Sequence, residues 1–518
     1  METTLAIDFG TTNSAVYIYR NGRIEPLSNL SEQGKYLFPS FVEYTSKNVI
    51  TCSAAKKNIG KKNRYVVSCV KRLIGLTYKQ YLDLDEKDIF GCKVIEGEDG
   101  YPYFIVDGEG RQVSCIEVAS ELFRTIKSNA DAFCAPRRFD KAYVTVPANF
   151  KDNQISAIKS AALLAGIEVK KLITEPTAAA MSWCFDYVNM VHENEKMLVY
   201  DFGGGTFDVS FLQCYSVGRF RILDVDGDPN LGGNDVDMKL VEYVLKEYQN
   251  RCKGEFIDLS DNRVKSLLRE RCEDIKIILS SEKVDSVDLS DLVNEDIEVK
   301  ISRMTMTTVI KPLIKRTIDC IKHITEKKGQ NAGSIKRVFV VGGSSKLAVV
   351  HEMLEKMFSR SFFPEIDPDH CVALGAMKML LMDHQDRHDV EERIVISYGL
   401  RIKDKVLIML KRGTTVPAQS DEEVVYNTED YPDYIYSEIY QWEGEVLDTD
   451  EEVVKELEEC TCVAQFRFKN PKPQPVGCQR MKIVFSLDFG GTLEVRCRDF
   501  DTNEEMNCTR FSALYGGK

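Results

Sequence analysis

Two segments of the chain share a pattern of residues suited to binding phosphate groups. In each, an apolar run leads into an aspartate, Asp8 or Asp201, and a glycine-containing turn with threonine hydroxyls follows before a second apolar alternation. This order predicts a strand–turn–strand hairpin with the aspartate where the first strand ends. Glycine lets backbone N–H groups approach an anion closely, threonine hydroxyls add donors, and a carboxylate suits Mg²⁺ held through water. Two such hairpins predict a duplicated fold that closes two phosphate-binding turns on one nucleotide.

The composition limits the classes of partner and compartment. The 518 residues carry a net charge of −13, which argues against nucleic acid or an anionic membrane as the main partner. The sequence shows no basic, apolar leader and no apolar run of the roughly 18 residues that a membrane helix needs, so we expect a cytoplasmic protein. The 16 cysteines include no C-x-x-C pair, and Cys460 and Cys462 lack a second pair at zinc-finger spacing. We therefore expect buried, reduced thiols.

The elements that must position the two turns alternate along residues 1–386. Short apolar strands and helical stretches follow one another there, which is typical of an α/β fold. The predicted strands include Ala142–Val146, Met197–Tyr200 and Arg337–Val341, and the predicted helices include Ser156–Leu164, Asp235–Asn250 and Val264–Leu279.

The pattern changes after a polar, charged linker at residues 387–396. Alternating segments separated by turn residues predict an all-β domain over 397–518, and this arrangement favours a β-sandwich. Residues Asp448–Glu459 hold seven acids and one lysine, and we expect a solvated loop or short helix there. The predicted strands are Val406–Met409, Tyr434–Tyr440, Ala464–Phe468, Lys482–Leu487 and Thr492–Cys497.

Seven motifs, in one order, give the chain a family resemblance. They are DFGTT at Asp8, KRLIG at Lys71, VPANF at Val146, EPTAAA at Glu175, DFGGGTFDVS at Asp201, LGG at Leu231 and VGGSS at Val341. With these motifs the chain resembles a divergent member of the 70-kilodalton heat-shock protein (DnaK-type) chaperone family along nearly its whole length. The resemblance implies an actin-like ATPase domain, two lobes around a nucleotide cleft, followed by a β-sandwich resembling the family's peptide-binding domain. Because the sequence stops at Lys518, we expect a member without the family's helical lid.

The resemblance also implies the catalytic residues and the cofactors, which are ATP or ADP with Mg²⁺. Asp8 and Asp201 would hold hydrated Mg²⁺ across the cleft. Lys71 would place a point charge near the γ-phosphate and the attacking water. Glu175 would help to position the metal's water shell or the nucleophile, and Thr206 could relay a proton.

The nucleotide-binding residues implied by the family cover both ends of the nucleotide. Two arginines of the family that lie at the adenine are Ile277 and Lys346 here, so the base would lie on an aliphatic side chain and a lysine stem. The implied binding residues are Gly10, Thr11, Thr12, Asn13, Gly203, Gly204, Gly205, Gly232, Gly233, Glu273, Lys276, Ser280, Gly342, Gly343, Ser344, Lys346 and Asp369.

Three departures from the family pattern concern communication between domains. The family's switch proline is kept as Pro147, but its arginine partner is Ile155 here. The family's leucine-rich linker is replaced by the charged stretch at 387–396, which predicts weak coupling. The family's glycine-bearing arch is replaced by Lys403–Lys405.

Three functions follow as alternatives. The leading one is an ATP-dependent chaperone of the stress-response type, whose partners are unfolded or extended polypeptides, a J-domain cochaperone and a nucleotide-exchange factor. The second is a cochaperone or assembly subunit of low ATPase activity that docks to a fixed partner, as in ribosome-associated or virion-assembly relatives. The third, a sugar or polyol kinase of the same superfold, ranks low because such an enzyme has no use for a C-terminal β-sandwich.

Overall fold

A computed structural model describes residues 3–511 of the chain with several gaps. Residues 33, 85–87, 217–218, 253–256, 260–261, 291, 294–295, 328–331, 360–362, 385–391, 395, 443, 445–452 and 488–492 lie outside the described part. Most of the predicted linker at 387–396 is therefore not described, and the domain boundaries drawn at 386 and 397 stay predictions. Among the described residues, no helix has the length and apolar character required to traverse a bilayer.

The chain forms two compact units. The first contains Met1–Ile95, Pro102–Pro147 and Ile158–Asp389, and the second contains Glu96–Tyr101, Ala148–Ala157 and Val390–Lys518.

Helices and strands alternate through the first part of the chain, as the sequence predicts for an α/β fold. The helices are α1 (Cys52–Lys56), α2 (Tyr78–Leu82), α3 (Cys115–Phe133), α4 (Asp152–Leu164), α5 (Glu175–Cys184), α6 (Gly233–Arg251), α7 (Asn262–Ser281), α8 (Arg303–Lys327), α9 (Ala348–Leu354) and α10 (Cys371–His384). The strands are β1 (Thr4–Asp8), β2 (Asn13–Arg20), β3 (Arg23–Pro26), β4 (Leu37–Pro39), β5 (Val42–Tyr44), β6 (Val49–Thr51), β7 (Tyr65–Val67), β8 (Val94–Glu96), β9 (Pro102–Ile105), β10 (Gln112–Ser114), β11 (Lys141–Val146), β12 (Glu168–Thr174), β13 (Glu195–Phe202), β14 (Phe207–Ser216), β15 (Arg219–Asp228), β16 (Val284–Asp288), β17 (Glu298–Ser302) and β18 (Arg337–Val341).

Two sheets of the first unit share one four-strand arrangement, as the predicted duplication requires. In one, β1 and β2 form an antiparallel hairpin and β11 pairs parallel to β1, in the order β12-β11-β1-β2-β3. In the other, β13 and β14 form the hairpin and β18 pairs parallel to β13, in the order β15-β14-β13-β18. In each hairpin the aspartate lies at or near the end of the first strand, so its carboxylate is next to the turn that follows.

Buried aromatic packing fixes the two hairpins. Phe9, directly after Asp8, is fully buried and stacks on Phe123 of α3 with ring centroids 4.7 Å apart. Under the second hairpin, Tyr200 is fully buried, and its hydroxyl lies 2.8 Å from the Thr317 hydroxyl of α8. Because both partners are rigid core groups, each aspartate is held by a strand whose opposite face is anchored.

The second unit contains two larger antiparallel sheets, as predicted for 397–518, and a two-stranded antiparallel pair in which Glu392–Arg393 lies beside Thr415–Val416. Its strands are β19 (Glu392–Arg393), β20 (Ser397–Ile402), β21 (Lys405–Leu410), β22 (Thr415–Val416), β23 (Ala418–Gln419), β24 (Glu423–Tyr426), β25 (Tyr434–Trp442), β26 (Val454–Glu456), β27 (Thr461–Lys469), β28 (Arg480–Leu487), β29 (Leu493–Asp499) and β30 (Cys508–Phe511). One sheet has the order β26-β21-β20-β25-β27-β30, and the other contains β23, β28, β24 and β29. Both contribute to one apolar core that includes Ile439, Phe468, Met481 and Phe485.

Two details of this unit bear on the sequence expectations. The Lys403–Lys405 stretch makes a tight turn between β20 and β21, with Lys403 in the left-handed region at φ 56°. The predicted loop or short helix at Asp448–Glu459 is wrong for Val454–Glu456, which forms β26, whereas Leu457–Glu459 is a short 3-10 helix as the prediction allows. Pairing with β21 overrides the acidic character of this stretch, whereas its residues 448–452 lie outside the described part.

The fifteen cysteines whose surroundings are described are free thiols. Nine of them are buried, and Cys478 is the exposed one. Burial raises the pKa of both Cys214 and Cys272 to about 12.

Candidate functional site

A cavity of about 380 Å³ lies between the two hairpins of the first unit. The close approach of the two turns explains one glycine: a Cβ on Gly204 would lie 1.9 Å from Oγ1 of Thr12. A second glycine, Gly342, has φ +83°, and its missing side chain leaves room for Asp201 and the backbone of Phe202. The cavity is therefore walled by backbone at the places where the sequence predicts phosphate contacts.

Most predicted site residues line this one cavity, although they come from distant parts of the chain. Those that do are Asp8, Gly10, Thr11, Thr12, Asn13, Lys71, Glu175, Asp201, Gly203, Gly204, Thr206, Gly233, Glu273, Lys276, Ser280, Gly342, Gly343, Ser344, Lys346 and Asp369. Gly205 and Gly232 lie behind the wall instead, backbone against backbone, since a Cβ on Gly232 would lie 2.5 Å from the Gly205 nitrogen.

Lys71 and Glu175 form an ion pair within the cavity. The Lys71 Nζ atom donates to Oε1 of Glu175 over 2.6 Å, and both side chains are largely buried. Lys71 sits in a 3-10 turn, Val70–Arg72, that follows Cys69 in a left-handed conformation. Burial alone would lower the pKa of Lys71, but the carboxylates of Glu175, Asp8 and Asp201 hold it above its usual value. The ammonium is therefore charged at neutral pH.

Glu175 is positioned by the tight packing of α5. That helix begins with Glu175-Pro176 after an extended Thr174, and Pro near the first position suits a helix start. The rest of α5 is buried, and α10 lies so close that a Cβ on Gly375 would lie 1.7 Å from the carbonyl oxygen of Ala178.

The surroundings of Asp8 and Asp201, the two predicted metal-facing carboxylates, disfavour their ionised forms. Burial, followed by repulsion from Glu175, raises the pKa of Asp8 to about 6, against the opposing effects of Lys71 and the Thr145 hydroxyl. Burial, followed by repulsion from Glu175, raises the pKa of Asp201 well above its usual value. The local charge is negative because several carboxyls surround one ammonium, so the cavity favours a cation.

The donor set fits Mg²⁺ bound together with phosphates rather than by protein alone. Oxygen ligands suit this ion, and Mg²⁺ usually keeps several waters and takes one or two carboxylates plus substrate phosphates. Within the described residues, no cluster of three or more acidic, histidine or cysteine side chains could hold an ion without help. The Thr12 hydroxyl lines the cavity and has no hydrogen-bond partner in the described part of the chain, so it is available to a phosphate oxygen.

The opposite end of the cavity is formed by one face of α7. Lys276 lies 2.7 Å from Asp237 Oδ1 and donates to the Gly233 carbonyl oxygen over 3.2 Å. Glu273 accepts a hydrogen bond from Lys56 over 2.8 Å, and although burial opposes the shift, Lys56 and Lys276 hold its pKa below the usual value. Ile277 also lines the cavity and is 60% exposed.

Two residues at or beside the site, Asp237 and Arg72, were not predicted from the sequence. Asp237, nearly fully buried on α6, gives Lys276 an acidic partner, as Glu175 does for Lys71 and Asp369 for Lys346. A helical spacing of four residues from Gly233 was the available signal for Asp237. Arg72 was missed too: it donates to the Pro229 carbonyl and to Asn230, which joins the Lys71 turn to the loop before α6. Nothing in local sequence pairs residues so far apart.

Comparison with known proteins assigns the chain to a family. A sequence model of a family described as "Hsp70 protein" matches residues 4–512. Similar proteins include "Chaperone protein DnaK" of Burkholderia cenocepacia (strain HI2424) and of Burkholderia orbicola (strains MC0-3 and AU 1054). Each of these three is 29% identical over 523 residues, which cover 98% of this chain and 77% of the relative. The match spans both units, and the chain therefore belongs to the Hsp70 family, with its actin-like ATPase domain followed by a β-sandwich.

Proposed function

We propose that this chain is an ATP-dependent molecular chaperone whose first unit binds Mg-ATP and hydrolyses it slowly. The observation that carries the proposal is the Lys71–Glu175 pair, which lies in one cavity with Asp8, Asp201 and the two glycine-containing turns. A nucleoside triphosphate is the ligand whose charge, length and requirement for a metal ion match these residues.

Each residue has a distinct role in this proposal. The turns at Gly10–Thr12 and Gly203–Thr206 donate hydrogen bonds to phosphate oxygens. The Lys71 ammonium stabilises the negative charge that develops as water attacks the γ-phosphate, and Glu175 fixes the direction of that ammonium. Asp8 and Asp201 are the carboxylates that would hold a hydrated Mg²⁺. When bound, Mg²⁺ would neutralise phosphate charge and relieve the repulsion between the carboxyls.

In this proposal the chain binds the adenosine part of ATP less strongly than family members that have arginines at the adenine. Lys276 and Ser280 face the ribose, Gly342–Ser344 give the base close backbone approach, and Ile277 covers it with an aliphatic surface. Because Ile277 offers no cation to the adenine ring, we expect reduced affinity or base selectivity.

The second unit, in the same proposal, binds unfolded or extended polypeptides. Support comes from its two-sheet architecture and from relatives named as chaperones. Antiparallel sheets recognise extended chains through main-chain hydrogen bonds, with apolar pockets for alternate side chains. A J-domain cochaperone and a nucleotide-exchange factor complete the proposed set of partners.

Steady-state ATP hydrolysis by the purified full chain tests the catalytic part. Lys71→Ala removes charge stabilisation in the transition state, so turnover is expected to fall at least about a hundredfold while ATP affinity changes little. Lys35→Ala is the matched control, because Lys35 is an exposed lysine paired only with Glu32 among the ion pairs of the described residues. Unchanged turnover in Lys71→Ala would show that Lys71 is not the catalytic lysine.

A second function is favoured by the departures from the family pattern. A cochaperone or assembly subunit with little ATPase activity would tolerate Ile277 at the adenine position and charges at Glu391–Arg393 in place of leucines. Nucleotide binding without measurable turnover in the wild-type protein, and without effect of an extended peptide, would select this function over the first.

A further inference from the structure

One sheet of the second unit is completed by a short segment of the chain itself. Strand β26, only three residues long, pairs antiparallel with β21, with Leu407 opposite Val454 and Lys405 opposite Glu456. The pairing extends by one hydrogen bond, in which the Ile408 N–H donates to the Val453 carbonyl over 2.8 Å. The segment thereby covers backbone groups that an edge strand would otherwise present to other chains.

The segment turns alternate side chains toward the protein. Val453 is 5% exposed, whereas its neighbour Val454 is 45% exposed. Val453 and Leu457 belong to a small apolar cluster separate from the main core of the sandwich, together with Val406, Ile408, Tyr440, Trp442, Cys460 and Cys462. Val453 comes directly before β26, Lys455 is its middle residue, and Leu457 begins the 3-10 turn Leu457–Glu459 that follows. The side chains of these three residues contact the protein.

The middle residue of that face makes a specific contact. The Lys455 ammonium lies 4.0 Å from the centroid of the Trp442 ring, which is the geometry of a cation–π interaction. Gly444 approaches the same ring so closely that a Cβ there would lie 2.0 Å from it. The backbone at Gly444 therefore packs against the Trp442 ring, on which the Lys455 ammonium lies.

The attachment of the segment to β21 is short, and its ion pair is exposed. Three register pairs join it to β21, and its ion pair, Lys405 to Glu456 at 3.0 Å, has both side chains more than half exposed. Exposed ion pairs contribute little, and short edge elements open at a small cost in free energy. The apolar cluster and the Trp442 ring remain on β21 and β25 when the segment leaves.

We propose that Val453–Leu457 is a built-in occupant of a strand-docking edge, which an extended polypeptide with apolar, basic and apolar side chains at alternating positions replaces. This inference rests on the proposed binding of polypeptides by the second unit, and it assigns that binding to the edge of β21. The incoming chain takes over the backbone hydrogen bonds of β21, places its cation over Trp442 and packs its apolar side chains on the cluster around Ile408 and Tyr440. The resident segment competes for the same edge and lowers the apparent affinity by the fraction of time that the edge is covered.

The test measures binding of a fluorescein-labelled peptide to the full chain by anisotropy. The peptide has valine, lysine and leucine at alternate positions with threonine between them. Val453→Asp weakens the resident segment and leaves the docking surface intact, so the peptide is expected to bind at least about tenfold more tightly than to wild type. Val454→Asp is the matched control: it changes the same residue type on the same strand, but on the outward face, and we expect a change within about twofold.

Two further measurements keep the result decisive. Hydrogen exchange at the Ile408 amide should speed up in Val453→Asp and slow again when the peptide binds. Replacing the peptide's lysine with glutamate should weaken binding roughly 2- to 30-fold, and Trp442→Ala should remove that difference. Lys455→Glu, at a partly exposed position, serves as a second opening variant in case Val453→Asp disturbs folding.

Three results would overturn the inference in distinguishable ways. Equal peptide affinity in wild type, Val453→Asp and Val454→Asp places polypeptide binding elsewhere in the unit and leaves the proposed function standing. Faster exchange at Ile408 without tighter peptide binding means that the edge opens but is not a docking site. Absence of peptide binding in every variant removes both this inference and the polypeptide-binding part of the proposed function, while the ATPase measurement decides the catalytic part independently.

Discussion

The charge around Lys71 is unbalanced at the scale of single residues. Glu175, Asp8 and Asp201 all act on one ammonium, and the pKa values of both aspartates are raised. Phosphates brought to such a place would add to the repulsion unless a cation came with them. The arrangement therefore explains why nucleotide and Mg²⁺ are expected to bind as one unit, with weak affinity for either alone.

The adenine position yields the first residue-scale prediction. Ile277→Arg places a guanidinium over the base and should tighten ATP binding by roughly 0.5–2 kcal/mol. Ile278→Arg is the control, because Ile278 is the next residue on α7 and does not line the cavity. Titration calorimetry on the three proteins measures the difference. Equal affinity in Ile277→Arg and wild type would show that the base does not lie on this part of α7.

A second residue-scale prediction concerns the pH dependence of stability. Burial, and then repulsion from Glu273, raises the pKa of Asp237 to about 6 despite the nearby Lys276 ammonium. Because the folded state then binds more protons than the unfolded state between pH 4 and 6, this group's contribution to the free energy of unfolding falls as pH rises through that window. Between pH 5.0 and 7.5 we expect wild type to lose about 1 kcal/mol relative to Asp237→Asn.

Denaturant unfolding followed by tryptophan fluorescence measures this effect in the first unit alone. The chain has two tryptophans, one in each unit, so a Trp442→Phe background leaves Trp183 as the reporter. A difference between the two proteins that is the same at both pH values would mean that Asp237 titrates as an ordinary exposed aspartate.

The site residues show what sequence can and cannot predict. Asp8, Lys71, Glu175 and Asp201 could be named from the sequence because each lies in a motif whose order along the chain was informative. The structure brings them into one cavity, and their catalytic roles stay predictions. Asp237 and Arg72 were missed because their partners are distant in sequence, and a lone carboxylate or guanidinium in a helix or turn looks like a solvated side chain. Gly205 and Gly232 were assigned to the nucleotide, and that assignment stays a prediction: neither lines the cavity, and a Cβ on Gly232 would meet the Gly205 backbone.

At the scale of elements, the close contact between α5 and α10 supports Glu175, the first residue of α5, which we propose acts in catalysis. Gly375→Ala would place a methyl group against the Ala178 carbonyl, so the helices must separate. We expect a loss of roughly 1–3 kcal/mol in stability and weaker ATP binding, because α5 begins at Glu175.

Gly108→Ala is the control for that prediction. Like Gly375, Gly108 has no positive φ, but its Cβ would meet only the Tyr65 hydroxyl, at an ordinary 3.5 Å. Thermal unfolding and ATP titration of both variants therefore isolate the effect of the close helix contact. Equal losses in both would mean that the contact between α5 and α10 contributes nothing to stability or to ATP binding.

Elements with strong periodicity were predicted well. Arg337–Val341 is the strand β18 as expected, and the helix predicted at Val264–Leu279 lies within α7. Short elements such as α1 and β26 could not be predicted, because three to five residues are too few to show a helical or strand periodicity of apolar side chains. Their conformation is decided by the elements that they pack against. The Asp448–Glu459 stretch illustrates this: its charge indicated a solvated segment, but pairing with β21 makes Val454–Glu456 an edge strand.

At the scale of the whole molecule, communication between nucleotide and polypeptide is expected to be weak. Residues 387–396 present Glu391, Glu392 and Arg393 where the family has leucines, and burying unpaired charges is costly. A linker that makes no more favourable contacts when the domains are docked than when they are undocked contributes little coupling free energy. We therefore expect a saturating extended peptide to stimulate ATP hydrolysis by less than about twofold.

Limited proteolysis provides the independent check on that expectation. Cleavage within 387–396 should proceed at similar rates with ATP and with ADP. Replacing Glu391 and Glu392 with leucine should increase the stimulation if charge at these positions is the cause. Strong protection of the wild-type stretch by ATP alone would restore the full allosteric scheme of the family.

The distribution of the thiols has a practical consequence for observing such communication. Cys478 is the exposed thiol among the fifteen whose surroundings are described, and it lies in the second unit. A maleimide dye is therefore expected to attach preferentially there, without an engineered cysteine, while the buried thiols react slowly. The label's rotational depolarisation would report the tumbling of the β-sandwich, and its response to nucleotide would show directly whether the two units move as one body or independently.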